Sequence, residues 1–170
     1  MARMLADAKQ TLWLLDEMPE DPKNPTAAEI NAGQDISCVI GKAGFNLGSG
    51  TSNKEADTPL CTEGETQVPT SKTYEVAMNI YRYFDADTGQ IDPAEDFFFQ
   101  AVKEFGSEVV VALRDGGKAH TEDADAGDEV SLYRLISGGM GRSTDGGGYS
   151  KRVADFSVVE GHEDVVVVAG

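Results

Sequence analysis

The alternating segment over residues 73–84 constrains the fold more than any other part of the sequence. Apolar side chains recur there at every second position, which is the period of a β-strand with one buried face. These positions are Tyr74, Val76, Met78, Ile80 and Phe84, with Glu75 and Asn79 on the alternate side and Arg82 interrupting the apolar series. A long strand with two different faces needs a sheet that borders solvent or a neighbouring molecule. The sequence therefore predicts a mainly β protein.

Runs of β-branched and other apolar residues predict further strands. They lie at residues 11–15, 35–40, 109–114, 130–136, 151–159 and 165–168. The C-terminal third of the chain is therefore expected to be mostly strand. A glycine-rich stretch at residues 138–148 separates two of these strands and is expected to form a loop.

A short helix is predicted at residues 27–32 because Thr26 and Glu29 have the spacing of a capping box. In that motif each side chain accepts a hydrogen bond from the backbone N–H of the other residue. Gly33 is suited to end the helix, since glycine readily adopts the conformation found after a last helical turn. This helix would follow a proline-rich linker at residues 19–25.

A second, aromatic helix is predicted at residues 93–105. Asp92 is a suitable N-cap, Pro93 fits the first helical turn, and a glycine follows at position 106. The apolar side chains expected to pack this helix on the sheet are Phe97, Phe98, Ala101 and Phe105.

Residues 41–72 lack periodicity and are rich in Gly, Ser, Thr, Asn, Asp and Pro. Loops longer than about 12–15 residues are uncommon in compact domains and are usually functional or disordered. We interpret the segment as a long loop or extended hairpin, either an arm that becomes ordered against a partner or a mobile insertion. Its apolar anchors would be Phe45, Leu47, Leu60 and Val68.

Acidic side chains outnumber basic ones by 30 to 14, which gives a formal net charge of -16. This charge repels the phosphate backbone and disfavours stable binding of nucleic acid. Residues 120–129 concentrate part of it and are expected to form a solvated acidic loop. The chain is long enough for one hydrophobic core, so we expect a single domain over residues 1–170 with an N-terminal leader at residues 1–18.

Targeting and redox features are sparse. The first ten residues mix Arg3, Asp7 and Lys9 with no continuous apolar core, and no stretch approaches the ~20 apolar residues of a membrane helix. We therefore expect synthesis in a cytoplasm and no membrane partner. Cys38 and Cys61 lack the spacing of a metal site and are expected to be buried free thiols rather than a disulfide.

Catalytic groups do not converge in the sequence. His120 and His162 lie far apart in polar segments, and each is expected to be a solvated loop residue. The glycine-rich loop lacks the pattern of a phosphate-binding loop. Because no nucleophile has a base at a suitable spacing, we expect neither an enzyme nor a cofactor.

One weak candidate for a cation site consists of Asp85, Asp87 and Asp92. Closely spaced carboxylates with Gly89 at a sharp turn resemble a calcium loop. The third Asp or Asn before the glycine and the closing glutamate of such a loop are missing. The same residue types are common in a tight turn between strand and helix, which is the interpretation that we favour, so no metal is expected.

Five short sequence segments, here called phrases, follow one another in a characteristic order: residues 24–36, 67–69, 74–78, 83–85 and 115–117. As an ordered series they resemble the major tail tube proteins of long-tailed, siphovirus-type bacteriophages that infect actinobacteria. The resemblance covers most of the chain, from about Asn24 to the end, and leaves residues 1–18 unmatched. Each phrase alone would be a weak match, so the order carries the resemblance.

The resemblance implies a β-sandwich or partly rolled barrel flanked by one helix. Its subunits would join edge to edge into hexameric rings that stack as a hollow tube in the virion tail, after assembly in the host cytoplasm. The implied partners are further copies of the chain, the tape measure protein, other tail proteins and DNA that passes without sticking. The residues that would line the channel or contact neighbouring subunits are Tyr74, Glu75, Val76, Met78 and Ile80.

Two alternatives stay open at this point. The tube subunit of a contractile tail or injection machine would share the architecture. A small-ligand-binding β-barrel would instead use Trp13, Tyr74, Met78 and the aromatic residues 97–99 to line a cavity.

Overall fold

A computed structural model of the protein describes residues 7–56, 60–61, 64, 67–142 and 148–169. Seven strands form one curled antiparallel sheet with the shape of a half-barrel, and two further strands form a separate hairpin. In chain order the strands are β1 (Gln10–Leu15), β2 (Gln34–Asp35), β3 (Ile40–Ser49), β4 (Asn53–Ala56), β5 (Gln67–Ser71), β6 (Tyr74–Tyr81), β7 (Glu108–Asp115), β8 (Glu129–Arg142) and β9 (Lys151–Val166).

The large sheet has the spatial order β2-β1-β7-β8-β9-β6-β3, and β4 pairs with β5 in the hairpin. The short strand β2 forms one edge of the sheet and the ten-residue strand β3 forms the other. Two short helices, α1 (Ala27–Asn31) and α2 (Phe97–Val102), complete the regular structure, with one 3-10 turn at Ser37–Val39. The expected mainly β class is confirmed.

Alternation along the strands gives the sheet two apolar faces. On β1, Leu12 belongs to the core that contains α2, whereas Trp13 and Leu15 belong to the core that contains α1. On β7, Val111 and Ala112 divide in the same way. Because successive side chains of a strand point to opposite faces, continuous apolar runs such as that of β7 supply both cores.

The alternating segment over residues 73–84 forms β6 over Tyr74–Tyr81, as expected, whereas Phe84 lies beyond the strand and is exposed. Met78 and Ile80 are buried in the core that contains α2, and Tyr74 and Val76 pack against the same core. Glu75 is exposed on the opposite face. These four apolar residues therefore lie on the core face of β6.

The interpretation of residues 41–72 as one long arm was wrong at its N-terminal end. Residues 40–49 form β3, which pairs antiparallel with β6. Leu47 is buried and Phe45 packs beside it in the core, so neither side chain belongs to a projecting arm. The alternating signal is lost there because the register shifts between Gly41 and Asn46, which adds unpaired residues to β3.

Strand boundaries in the C-terminal half also differ from expectation. Residues 151–159 and 165–166 of the two expected strands belong to one strand, β9, which ends at Val166, and β8 extends through the glycines at 138–141. Register shifts between β8 and β9 interrupt the side-chain alternation, which explains why the sequence pattern divided them. The strand expected at residues 35–40 is instead the end of β2, the 3-10 turn and the first residue of β3.

Helix α1 is confirmed, including its capping box. The Glu29 N–H donates to Thr26 Oγ1 at 3.3 Å, and the Thr26 N–H donates to Glu29 Oε2 at 2.8 Å. Ile30 is fully buried in the core that contains α1. The hydrogen bonds from Thr26 lower the pKa of the Glu29 carboxyl, as expected of a carboxylate that caps a helix.

Helix α2 is shorter than expected, and two of its four assigned packing residues were wrong. Residues 93–95 form a turn in which Asp92 Oδ1 accepts from the Ala94 N–H at 3.0 Å, and the helix begins only at Phe97. Phe98 and Val102, one turn apart, are its buried residues. Ala101 is exposed on the opposite side, and Phe105, which is 86% exposed, follows the helix end.

The expected leader at residues 1–18 is also shorter than predicted, because Gln10–Leu15 pairs with β7 in the sheet. Residues 1–6 of that leader lie outside the described residues. Within the described part of the chain, no helix is long and apolar enough to cross a membrane.

Candidate assembly surfaces

The hairpin of β4 and β5 continues the ribbon that β3 and β6 form. The Gly50 N–H donates to the Thr73 carbonyl at 2.8 Å, just beyond the last β3 and β6 pair, and Asn53 is paired with Ser71. All residues of both hairpin strands are exposed. Val68 is half exposed and Leu60 is fully exposed. Several residues near Leu60 that belong to the expected arm lie outside the described residues.

The base of the hairpin is fixed by a polar cluster around Glu163 on β9. Its carboxylate accepts hydrogen bonds from Ser49 and Lys72, which flank the hairpin, and from the Tyr133 hydroxyl at 3.0 Å. The Tyr74 hydroxyl adds a bond to the Gly161 carbonyl at 3.0 Å. These contacts join the hairpin base to the two longest strands of the sheet.

Burial and hydrogen bonding act in opposite directions on Glu163. Burial alone raises the pKa of its carboxyl, but the hydrogen bonds from Lys72, Ser49 and Tyr133 outweigh this effect and lower the pKa. Burial, together with the hydrogen bond to Glu163, raises the pKa of the Tyr133 phenol. At neutral pH the Glu163 carboxyl is therefore ionised and the Tyr133 phenol is neutral. In these states the two side chains form the hydrogen bond at the base of the hairpin.

One face of the sheet is uncovered where β3, β6 and β9 lie side by side. Its residues alternate with the buried Met78, Ile80, Ala154 and Phe156, and across the strands Asn46 is paired with Ala77 and Asn79 with Val153. We call this surface the open face, and its members are Asn46, Glu75, Ala77, Asn79, Val153, Asp155 and Ser157. It carries small or uncharged side chains with two carboxylates, and Lys151 lies at its end.

An open cleft of about 290 Å³ lies where β1 and β3, near the two edges of the half-barrel, approach each other. We call it the edge cleft. The residues that define it are Leu12, Cys38, Ile40, Lys42, Phe45 and Leu113. His120 also lines the cleft and its Nδ1 is buried without a hydrogen-bond partner, whereas His162 lies on β9 with Nε2 at 2.8 Å from Glu160 Oε1. The expectation that both histidines are solvated loop residues was therefore wrong.

A buried ion pair anchors α2 to the end of β6. Arg82 Nε and Nη2 donate to the two carboxylate oxygens of Asp96 at 2.9 and 3.0 Å, and Gln100 and the Tyr83 N–H donate to the same carboxylate. The guanidinium lies 3.7 Å from the centroid of the Phe99 ring. Burial opposes ionisation of Asp96, but these donors outweigh it and lower its pKa. The charged residue that interrupts the apolar series of β6 is thus paired and stacked.

The acidic stretch after β7 is an ordered loop built on Arg114. This side chain is 2% exposed and donates to the carbonyls of Ala119, Glu122 and Asp123 at 2.7 to 3.0 Å. It also donates to Asp128 Oδ2 at 3.3 Å. Lys118 contacts Asp128 and the exposed Asp125, both at 2.8 Å. Backbone carbonyls and carboxylates therefore both hold the loop.

The weak cation candidate is better explained as a turn. Asp85 Oδ1 accepts from the backbone N–H groups of Asp87 and Thr88 at 3.0 and 2.7 Å, and these bonds lower the pKa of Asp85. Asp92 is likewise engaged by the turn before α2. Among the described residues, no group of three or more acidic, histidine or cysteine side chains is arranged to hold a metal ion.

The cysteines are free, as expected, but both are exposed rather than buried. The side chains that a ligand-binding barrel would need do not share a cavity. Trp13 packs in the core with α1, whereas Tyr74, Met78 and Phe98 pack in the core with α2, on the opposite face of the sheet. This arrangement argues against the binding-barrel alternative.

The described residues form a curled sheet with an edge strand, an exposed hairpin and an exposed polar face, features suited to a structural protein rather than to a binding cavity. The sequence matches the family model described as phage tail tube protein, over residues 1–170. The chain therefore belongs to the phage tail tube protein family, a structural family that implies a non-enzymatic role as a component of the virion tail. A search of curated protein sequences finds no significant match.

The Glu163 cluster and the edge cleft were not predicted. Ser49, Lys72, Tyr133 and Glu163 are widely separated in the sequence, with Lys72 and Glu163 91 positions apart. No local pattern connects such residues. A signal did exist for the Arg82 and Asp96 pair, because a charge inside an apolar series requires a partner when it is buried.

Proposed function

We propose that this protein is the repeating subunit of a hollow phage tail tube, in which six copies form a ring and the rings stack. Family membership supports the tail tube role, and the exposed β4 and β5 hairpin is the observation that supports assembly. The sheet also leaves β3 with one unpaired backbone edge, and unpaired edges favour pairing with another chain. Assembly in the host cytoplasm, and contacts with the tape measure protein and other tail proteins, are part of the same proposal.

Within the proposed tube, the open face lines the channel through which the genome passes. Its small and uncharged side chains offer phosphate no cluster of cations, and the carboxylates of Glu75 and Asp155 repel it. Glu75 is the one residue of the expected channel set that lies on this face. The proposal therefore replaces Tyr74, Val76, Met78 and Ile80 as channel residues.

Neighbouring subunits are proposed to associate through Leu60 and Val68 on the hairpin, together with the β3 edge. These side chains are exposed in the single chain. Their burial in an assembly would remove apolar surface from contact with water, which favours association. The other two residues of the expected assembly arm, Phe45 and Leu47, act indirectly by anchoring β3 to the core.

Electron microscopy of the negatively stained protein at low and high concentration tests this function. Hollow tubes or six-fold rings at high concentration are expected. Dispersed monomers at every concentration, including after addition of preformed tail tips that could nucleate assembly, would contradict the proposal.

A further inference from the structure

We propose that the edge cleft of one copy receives the hairpin tip of a second copy, with Leu60 inserted among the apolar side chains of the cleft. This inference rests on the proposed function and specifies one of its contacts. Leu60 is the most exposed of the large apolar residues in the described part of the chain. A cleft of about 290 Å³ has ample room for such a side chain, because cavities of about 150 Å³ hold benzene.

The charges of the two surfaces are complementary. Residues 53–71 of the hairpin segment contain four carboxylates, at positions 55, 57, 63 and 65, against one lysine, Lys54. The edge cleft, in a protein of net charge -16, is lined by the cation Lys42, and none of the described residues that line it carries a carboxylate. An acidic tip is therefore attracted to this part of an otherwise acidic surface.

Lys42 is available to such a tip. Its ammonium contacts Asp7, but both side chains are largely exposed, at 81% and 76%. Exposed ion pairs contribute little free energy, so a carboxylate from a second copy can replace Asp7 without a large cost.

The positions of the hairpin and the cleft favour contact between different copies. Gly41 and Lys42 line the cleft at one end of β3, whereas the hairpin begins beyond Ser49 at the other end. At about 3.3 Å per residue, these ends are roughly 25 Å apart. The tip of one copy in the cleft of the next is a head-to-tail contact, which generates rings or open polymers rather than closed dimers.

The native cysteines provide a direct test. Cys38 lines the edge cleft, Cys61 follows Leu60, and both are exposed free thiols. In the docked arrangement these two thiols come from different copies and lie close together. Diamide oxidises a thiol pair to a disulfide and takes up the two electrons and two protons that the thiols lose.

The full-length protein would be oxidised with diamide at high concentration, as a mixture of isotopically labelled and unlabelled chains. Because each copy contributes one Cys38 and one Cys61, we expect a ladder of linked oligomers on a non-reducing gel. Mass spectrometry should identify the Cys38 to Cys61 link between labelled and unlabelled chains. Cys38→Ser and Cys61→Ser variants should each abolish the ladder.

Two surface variants test the contact itself. Leu60→Asp should reduce the linked fraction roughly tenfold or more, since burying a leucine is worth about 1.5–3 kcal/mol and each 1.4 kcal/mol is about tenfold. Lys42→Glu should reduce it about two- to fivefold, the range of an exposed ion pair. Phe105→Asp, which changes another strongly exposed apolar residue outside the hairpin, is the matched control and should leave the link unchanged.

Links only between like cysteines, a link within one chain, or no link at all would overturn the proposed docking. Tubes that form without the mixed link would also overturn it while leaving the tube function intact. The mixed link in a protein that forms neither rings nor tubes would support the docking and contradict the tube function.

Discussion

Single polar residues in this protein are stabilised by specific buried partners, and the pair of Arg82 and Asp96 is the clearest case. Both side chains are almost fully buried, at 7% and 0% exposed, and the carboxylate accepts four hydrogen-bond donors in all. An ion pair of this kind tolerates removal of both partners better than removal of one, because a single removal leaves a buried charge uncompensated.

Asp96→Ala is therefore expected to lower the free energy of unfolding by about 3–5 kcal/mol. The double variant Arg82→Met with Asp96→Leu should be less destabilised than Asp96→Ala alone. Urea denaturation followed by tryptophan fluorescence measures both. If the double variant loses as much free energy of unfolding as Asp96→Ala, or more, the two charges do not depend on each other.

The carboxyl of Glu163 is expected to make the stability of the folded protein depend on pH. Its pKa in the folded protein is lower than in the unfolded chain, so its contribution is fully present above the unfolded value of about 4.3. That contribution is lost as the pH falls through the folded pKa. Glu163→Gln should therefore be less stable than the native protein at pH 7, with the difference shrinking by pH 3. A difference in melting temperature that is constant from pH 7 to pH 3 would contradict this assignment.

At the scale of elements, the hairpin separates from the sheet at one well-defined point. The hydrogen bond between the Gly50 N–H and the Thr73 carbonyl closes the β3 and β6 ribbon, so a two-residue turn can replace the hairpin. Replacing residues 51–72 with Asn-Gly should give a folded monomer that does not polymerise. A variant that still builds normal tubes would show that the hairpin is not an assembly element.

Deleting residues 41–72 instead would remove most of β3 and is the informative control. That deletion takes away the buried Leu47 and the pairing partner of β6. We expect loss of the cooperative thermal transition, in contrast to the shorter deletion. Equal melting temperatures for the two deletions would contradict the assignment of β3 to the sheet.

In the acidic loop after β7, the effect of exposed charges on stability can be compared with the effect of one structural charge. Reversing Glu122, Asp123 and Asp125 to lysine should change stability little, because these side chains are exposed and surface charges contribute little. Asp128→Ala should cost about 1–3 kcal/mol, since the carboxylate accepts hydrogen bonds from the buried Arg114, from Lys118 and from the Asp125 N–H, and all three are lost together. Thermal unfolding of the two variants checks the contrast, and a larger loss in the triple variant would reverse it.

Local patterns predicted some elements well and others poorly, for physical reasons. The alternation of β6 and the capping box of α1 are encoded within a few residues, and both were confirmed. Strand β3 was missed because its glycines and register shift disrupt alternation, while its strand structure depends on pairing with β6, whose residues lie 25 to 40 positions further along the chain. The surfaces were only partly predictable, since Phe105 could be recognised as apolar but not as exposed.

At the scale of the whole molecule, the sheet provides an uncovered face, a free edge and an exposed hairpin in different directions. One core with α1 and one with α2 hold this sheet from opposite sides, so association surfaces remain available without disturbing either core. The net charge of -16 opposes nonspecific association, which leaves specific contacts to determine assembly.

The most direct test of the central claim is a cryo-electron microscopy reconstruction of polymers formed by the purified protein. We predict a hollow tube with six subunits per ring, with Glu75 and Asp155 facing the channel and the hairpin in contact with a neighbouring copy. A polymer without a channel, or a tube in which the open face is buried between subunits, would contradict the account.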